Sequence, residues 1–88
     1  MSCSVKVSHK EIILGRNPNC DIIVDDAKAS RCHCGIVIEH GKCVLKDKNS
    51  FNGTRVNGVK VSEAVLKDGD VIEIAKHRFS YQNGIIYS

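Results

Sequence analysis

Cys34-Gly35-Ile36-Val37-Ile38-Glu39, closed by His40-Gly41 and followed by Lys42-Cys43-Val44-Leu45-Lys46, decides the class of fold. The first run is short and rich in β-branched residues, as a pleated strand favours. Cys34, Ile36 and Ile38 fall on alternate positions, so in a strand they share one face. That face is expected to enter a core, with Cys34 acting as a small hydrophobe. Outward from this pair the same pattern repeats: Val5-Lys6-Val7, Glu11–Leu14, Asp21–Val24, Thr54-Arg55-Val56, Val59-Lys60-Val61, Val71–Ile74 and Arg78–Tyr81. Asn17-Pro18-Asn19 and the glycines Gly58, Gly69 and Gly84 punctuate them as turns. Many short strands this close together indicate an all-β sandwich or barrel. Residues 62–67 are expected to form at most one helical turn, stopped by Gly69.

The chain has 88 residues, enough for one small domain spanning 1–88. A chain of this size buries only about 60–65% of its unfolded surface, which disfavours a large enclosed active site. Apolar residues make up 42% and charged residues 26%, which excludes a disordered tail. Apolar runs such as Ile12-Ile13-Leu14 fall far short of a spanning helix, so no membrane association is expected. Nothing at the N-terminus reads as a secretion signal. The five cysteines, Cys3, Cys20, Cys32, Cys34 and Cys43, cannot all pair within one chain. They are read as reduced thiols in an intracellular compartment, nuclear or cytoplasmic.

Three loops concentrate arginines, hydroxyls and amides: Gly15-Arg16-Asn17, Ala29-Ser30-Arg31-Cys32-His33 and the stretch from Asn49 to Gly58. Loops held by a rigid sandwich are where binding sites usually lie. The ordered elements Gly15-Arg16, Ser30-Arg31-Cys32-His33, Asn52-Gly53-Thr54-Arg55-Val56-Asn57-Gly58 and Leu66-Lys67-Asp68-Gly69-Asp70-Val71-Ile72 resemble the forkhead-associated (FHA) domain, a phosphothreonine-binding module. The likeness covers residues 12–75. It implies a twisted β-sandwich of two antiparallel sheets with recognition loops at one end.

The resemblance implies that Arg16, Ser30 and Arg31 bind phosphate, with the backbone N–H of Ser30 as a further donor. Arg16 offers a planar fork suited to two oxygens of a group carrying roughly −1.5 to −2 charge. It further implies that Asn52 binds the peptide backbone beside the phosphothreonine. Gly15, His33, Gly53, Thr54, Asn57 and Gly58 are expected to scaffold the loops, His33 as a buried brace. Phe51 stands where members of the family often carry a phosphate-binding Ser or Thr. Ser50, one residue earlier, replaces that hydroxyl only if the loop is rearranged. Phe51 and Arg55 are candidate specificity contacts.

Other chemistries fit less well. Cys32-His33-Cys34 lacks the two-to-four-residue separation with which zinc fingers converge on one ion, so no metal is expected. No nucleophile, base and acid stand out together, so neither an enzyme nor a cofactor is expected. Lys28, Arg31, Lys48 and Arg55 suggest a basic rim that attracts anionic peptides. The four aromatics are not interleaved with those charges, and a net charge of +3 is modest, so nucleic acid is not the expected partner. The expected partner is a threonine-phosphorylated protein or peptide, the isolated domain being a monomer. The competing expectation, favoured by Phe51, is an interaction module whose phosphate site is degenerate.

Overall fold

The computed structural model describes residues 4–88, and Cys3 lies outside them. Eleven strands and no helix occur among the described residues. They are β1 (Ser4–Lys6), β2 (Ile12–Gly15), β3 (Ile22–Ile23), β4 (Cys34–Glu39), β5 (Lys42–Asp47), β6 (Thr54–Val56), β7 (Val59–Val61), β8 (Glu63–Val65), β9 (Val71–Ile74), β10 (His77–Gln82) and β11 (Ile85–Tyr87). They form a six-stranded sheet in the order β1-β11-β10-β9-β6-β7 and a five-stranded sheet in the order β3-β2-β4-β5-β8. All pairs are antiparallel except β2–β3, a parallel pair of two residue matches.

Side-chain alternation builds the core between the sheets. Ile12, Ile36, Leu45 and Ala64 stand opposite one another across four strands of the smaller sheet. Val56, Ile72 and Phe79 make the matching row on the larger sheet. Leu14, Cys34, Ile36, Leu45, Ile72, Ile74 and Ile86 are completely buried. Cys34 is therefore the core residue that its alternation with Ile36 suggested, and burial pushes its thiol pKa up to about 12. Burying a Leu or Ile is worth about 1.5–3 kcal/mol, so these rows rather than the hairpin turns hold the sandwich closed.

The turns fix register. Asn57-Gly58 joins β6 to β7 with φ of 52° and 83°, the left-handed pair that a two-residue hairpin needs to match strand twist. Asn57 also accepts from the Val71 N–H and donates to Asp70, tying this turn to the start of β9.

Two elements depart from the sequence reading. The stretch 62–67 is not a helical turn: Glu63–Val65 is a strand, because pairing with Val44–Lys46 of β5 satisfies its backbone at the sheet edge. Ile85–Tyr87 adds β11 after the Asn83-Gly84 turn and bridges β10 to β1.

Candidate functional site

Arg16 leaves β2 at the point where the strand runs between β3 and β4. The 15–17 and 29–33 segments are zipped together there. Arg16 N–H donates to the Ser30 carbonyl at 3.0 Å, Asn17 N–H to the Arg31 carbonyl at 3.2 Å, and His33 N–H to the Leu14 carbonyl at 2.8 Å. Gly15 permits this approach, since a Cβ at that position would collide with the Arg31 carbonyl oxygen.

The Arg16 guanidinium is steered by its Nε–H, which donates to the Ala29 carbonyl at 3.2 Å. Among the described residues its terminal nitrogens have no hydrogen-bond or ion-pair partner. Arg16, Arg31, Asn17 and Pro18 line one cleft of about 260 Å³. Among the described residues no carboxylate pairs with either arginine. Two guanidinium groups in one cleft repel each other, and an anion between them removes that cost. A tetrahedral dianion presents enough acceptor oxygens for both forks.

Ser30 is placed by the loop that follows β5. Its Oγ accepts from the Phe51 N–H at 3.0 Å, which leaves the hydroxyl proton available to an outside acceptor. Its backbone N–H is not available: it donates to Nδ1 of His33 at 3.0 Å. The expectation that this N–H adds a phosphate contact is therefore corrected. With Nδ1 accepting, the His33 ring carries its proton on Nε2, which donates to the Gly53 carbonyl at 2.8 Å. His33 is completely buried and joins the 29–33 and 48–53 loops through both nitrogens.

The 48–53 loop has its own anchor. Asp47 accepts from the Ser50 N–H and Oγ–H and from the Thr54 hydroxyl. Burial works to raise its carboxyl pKa, but the hydrogen bonds from Ser50 and Thr54 prevail and hold it below the usual aspartate range. Ser50 Oγ also accepts from the Gly53 N–H, so it is committed to the loop and does not replace the hydroxyl lost at Phe51. Phe51 itself is 91% exposed. Asn52 donates one amide N–H to the Lys28 carbonyl at 2.7 Å; its other N–H and its oxygen have no partner among the described residues.

Arg16, Ser30, Arg31, Phe51 and Asn52 thus belong to one cluster of linked loops, braced by Gly15, His33, Gly53 and Thr54. Asn57 and Gly58 lie apart from it and serve the β6–β7 turn. Arg55 is exposed on β6, opposite Lys60 and Glu73, and does not line the arginine cleft. Of the basic rim, Lys48 is taken by Glu11 at 3.1 Å. Lys60, which the sequence reading passed over, lays its side chain across Gly53. Only the β6–β7 register reveals that approach. Cys32 is exposed while Cys34 is buried, so the two never face one site.

Residues 12–75 match the FHA domain family. The chain belongs to that family. It is 41% identical over 70 residues to the glycogen accumulation regulator GarA of Mycolicibacterium smegmatis, a match covering 80% of this chain and 44% of GarA. The matched stretch is thus under half of that relative's length. Among solved structures, the chain resembles Mycobacterium tuberculosis EmbR in complex with a low affinity phosphopeptide, at 37% identity and TM-score 0.79, covering 82% of this chain and 19% of EmbR. An FHA domain solved in work on phosphothreonine-dependent FHA domain interactions aligns at 34% identity and TM-score 0.75, covering 90% of this chain and 76% of that one.

Proposed function

We propose that this FHA domain reads phosphothreonine in partner proteins inside the cell, as a reversible adaptor without catalytic chemistry. The observation that carries the reading is the cleft in which Arg16 and Arg31 stand together with no carboxylate partner among the described residues. Arg16 and Arg31 hold the phosphate oxygens, the Ser30 hydroxyl donates a further bond, and Asn52 holds the peptide backbone. Two or three charge-assisted bonds at about 1.5–3 kcal/mol each, plus peptide contacts, give affinity in the micromolar range. A binding role suits the buried imidazole, since both nitrogens of His33 are already engaged and neither is free to move a proton.

A second reading has one observation in its favour. Phe51 is 91% exposed at the rim and brings no hydroxyl, as in a module that binds apolar partner surface without phosphate. Screening peptide libraries with phosphothreonine, phosphoserine or phosphotyrosine fixed at the centre separates the two. Selection of phosphothreonine peptides supports the first reading. Equal capture of all three and of an unmodified library supports the second.

A further inference from the structure

A smaller groove of about 110 Å³ shares Asn17 with the arginine cleft and is lined by Ile13, Asn17, Asn19, Cys20 and Cys32. Cys20 comes from the loop that carries Arg16, and Cys32 from the loop that carries Ser30 and Arg31. The Cys20 thiol donates to the Arg31 carbonyl at 3.2 Å, the carbonyl of the peptide bond that leads into Cys32. Cys32 is exposed and Cys20 half-buried, and both are free thiols. Both cysteines line this one groove, and the Cys20 thiol pKa is raised, first by burial and then by the nearby Cys32. The remaining described cysteines, Cys34 and Cys43, are buried.

We propose that Cys20 and Cys32 form a peroxide-sensitive dithiol whose disulfide cross-links the two phosphate-binding loops and weakens phosphopeptide binding. The exposed Cys32 sulfur attacks one oxygen of hydrogen peroxide; the O–O bond breaks, water leaves, and Cys32 becomes a sulfenic acid. The Cys20 sulfur then attacks the Cys32 sulfur, the S–O bond breaks, and a second water leaves. Two thiols and one peroxide become one disulfide and two waters: the sulfurs are oxidised, the peroxide oxygens are reduced, and the thiol protons end in water. A dithiol reductant reverses the step through a mixed disulfide.

The link to binding lies in the Arg31 carbonyl, which accepts from Asn17 N–H and from the Cys20 thiol. Oxidation removes the S–H donor. It also draws Cys32 to the short Cβ–Cβ distance of a disulfide, about 3.5–4.5 Å, and pulls on the peptide bond it shares with Arg31. Ser30 and Arg31 move with it. The coupling is reciprocal: a ligand that prefers the dithiol form opposes disulfide formation to the same degree.

This coupling rests on the phosphothreonine reading; the disulfide does not. The test treats the full chain with a slight excess of hydrogen peroxide and maps its cysteines by intact mass and peptide mass spectrometry, alongside Cys20→Ser and Cys32→Ser. A degenerate peptide mixture with phosphothreonine fixed at its centre is titrated against the reduced and oxidised protein. The expected result is a Cys20–Cys32 disulfide, absent from both variants and reversed by dithiothreitol, with affinity lower by at least about fivefold, the low end for coupled sites. Sulfinic acid at Cys32 without a disulfide, or a disulfide mapping to any other pair, overturns the proposal. A mapped disulfide with unchanged affinity overturns the coupling. A mapped disulfide in a protein that ignores the mixture in both forms removes the phosphothreonine reading and the coupling with it, while the disulfide site stands.

Discussion

Replacing His33 with leucine isolates the brace between the two recognition loops. The volume is nearly kept, so the cost comes from the two hydrogen bonds rather than from a cavity. The bond to the Gly53 carbonyl is buried, and its loss leaves an acceptor without a partner at about 1–3 kcal/mol. The bond from the Ser30 N–H is only partly buried; water reaches it in the variant, which sets its cost near about 1 kcal/mol. His33→Leu is therefore expected to lose about 2–4 kcal/mol. An 88-residue domain has roughly 4–13 kcal/mol in total, so the variant folds wherever wild-type stability exceeds that loss. Its melting temperature falls by roughly 10–30 °C. Urea melts followed by tyrosine fluorescence measure the loss. Phosphopeptide titration below the new melting point is expected to weaken too, because Ser30 and the 48–53 loop no longer share a fixed partner. A loss under about 1 kcal/mol, or full stability loss with unchanged affinity, refutes the idea that this ring positions the site.

Three further outcomes are expected. Arg16→Ala keeps the fold, giving up its part-buried bond to the Ala29 carbonyl, and costs about 1.5–3 kcal/mol of phosphopeptide binding, read by calorimetric titration. Phe51→Thr leaves stability unchanged, since the ring is 91% exposed, and tightens binding by about 0.5–1.5 kcal/mol when the new hydroxyl reaches the phosphate; weaker binding instead makes Phe51 a contact for an apolar residue of the partner. Asp47 has a lowered folded pKa, so its contribution to stability is complete above the ordinary carboxylate value near about 4 and is lost as pH falls through its folded value. Asp47→Asn is thus less stable near neutrality and loses less than the wild type between about pH 5 and pH 2, which denaturant melts across that range measure.

Strands with β-branched alternation were legible because burial on one face writes itself into every second residue, as at Cys34, Ile36 and Ile38. β8 left no such trace: Glu63, Ala64 and Val65 are an edge strand of three residues, and only its partner β5 makes it one. β11 follows an Asn-Gly hairpin turn, but Ile85-Ile86-Tyr87 shows no alternation of its own. The loop motifs were legible as residue types at family-like spacings. Which atom of each residue is already spent was not. The Ser30 N–H is used by His33, the Ser50 hydroxyl by Asp47, and the Lys48 ammonium by Glu11. The same holds for Cys20, which has no cysteine near it in sequence yet lines one groove with Cys32 where two loops are zipped together. Contacts between residues far apart in sequence depend on topology, which local pattern does not carry.

The central claim is that the cleft between Arg16 and Arg31 is built for a phosphate on threonine. Calorimetric titration of the wild-type chain with a phosphothreonine peptide selected from the library, and with the same peptide unmodified, tests it most directly. Micromolar binding of the first is predicted, near −8 kcal/mol, with the second weaker by at least about 3 kcal/mol, the worth of two charge-assisted hydrogen bonds at their lower value. Equal affinity for the two peptides would contradict the account and leave a module that binds without phosphate.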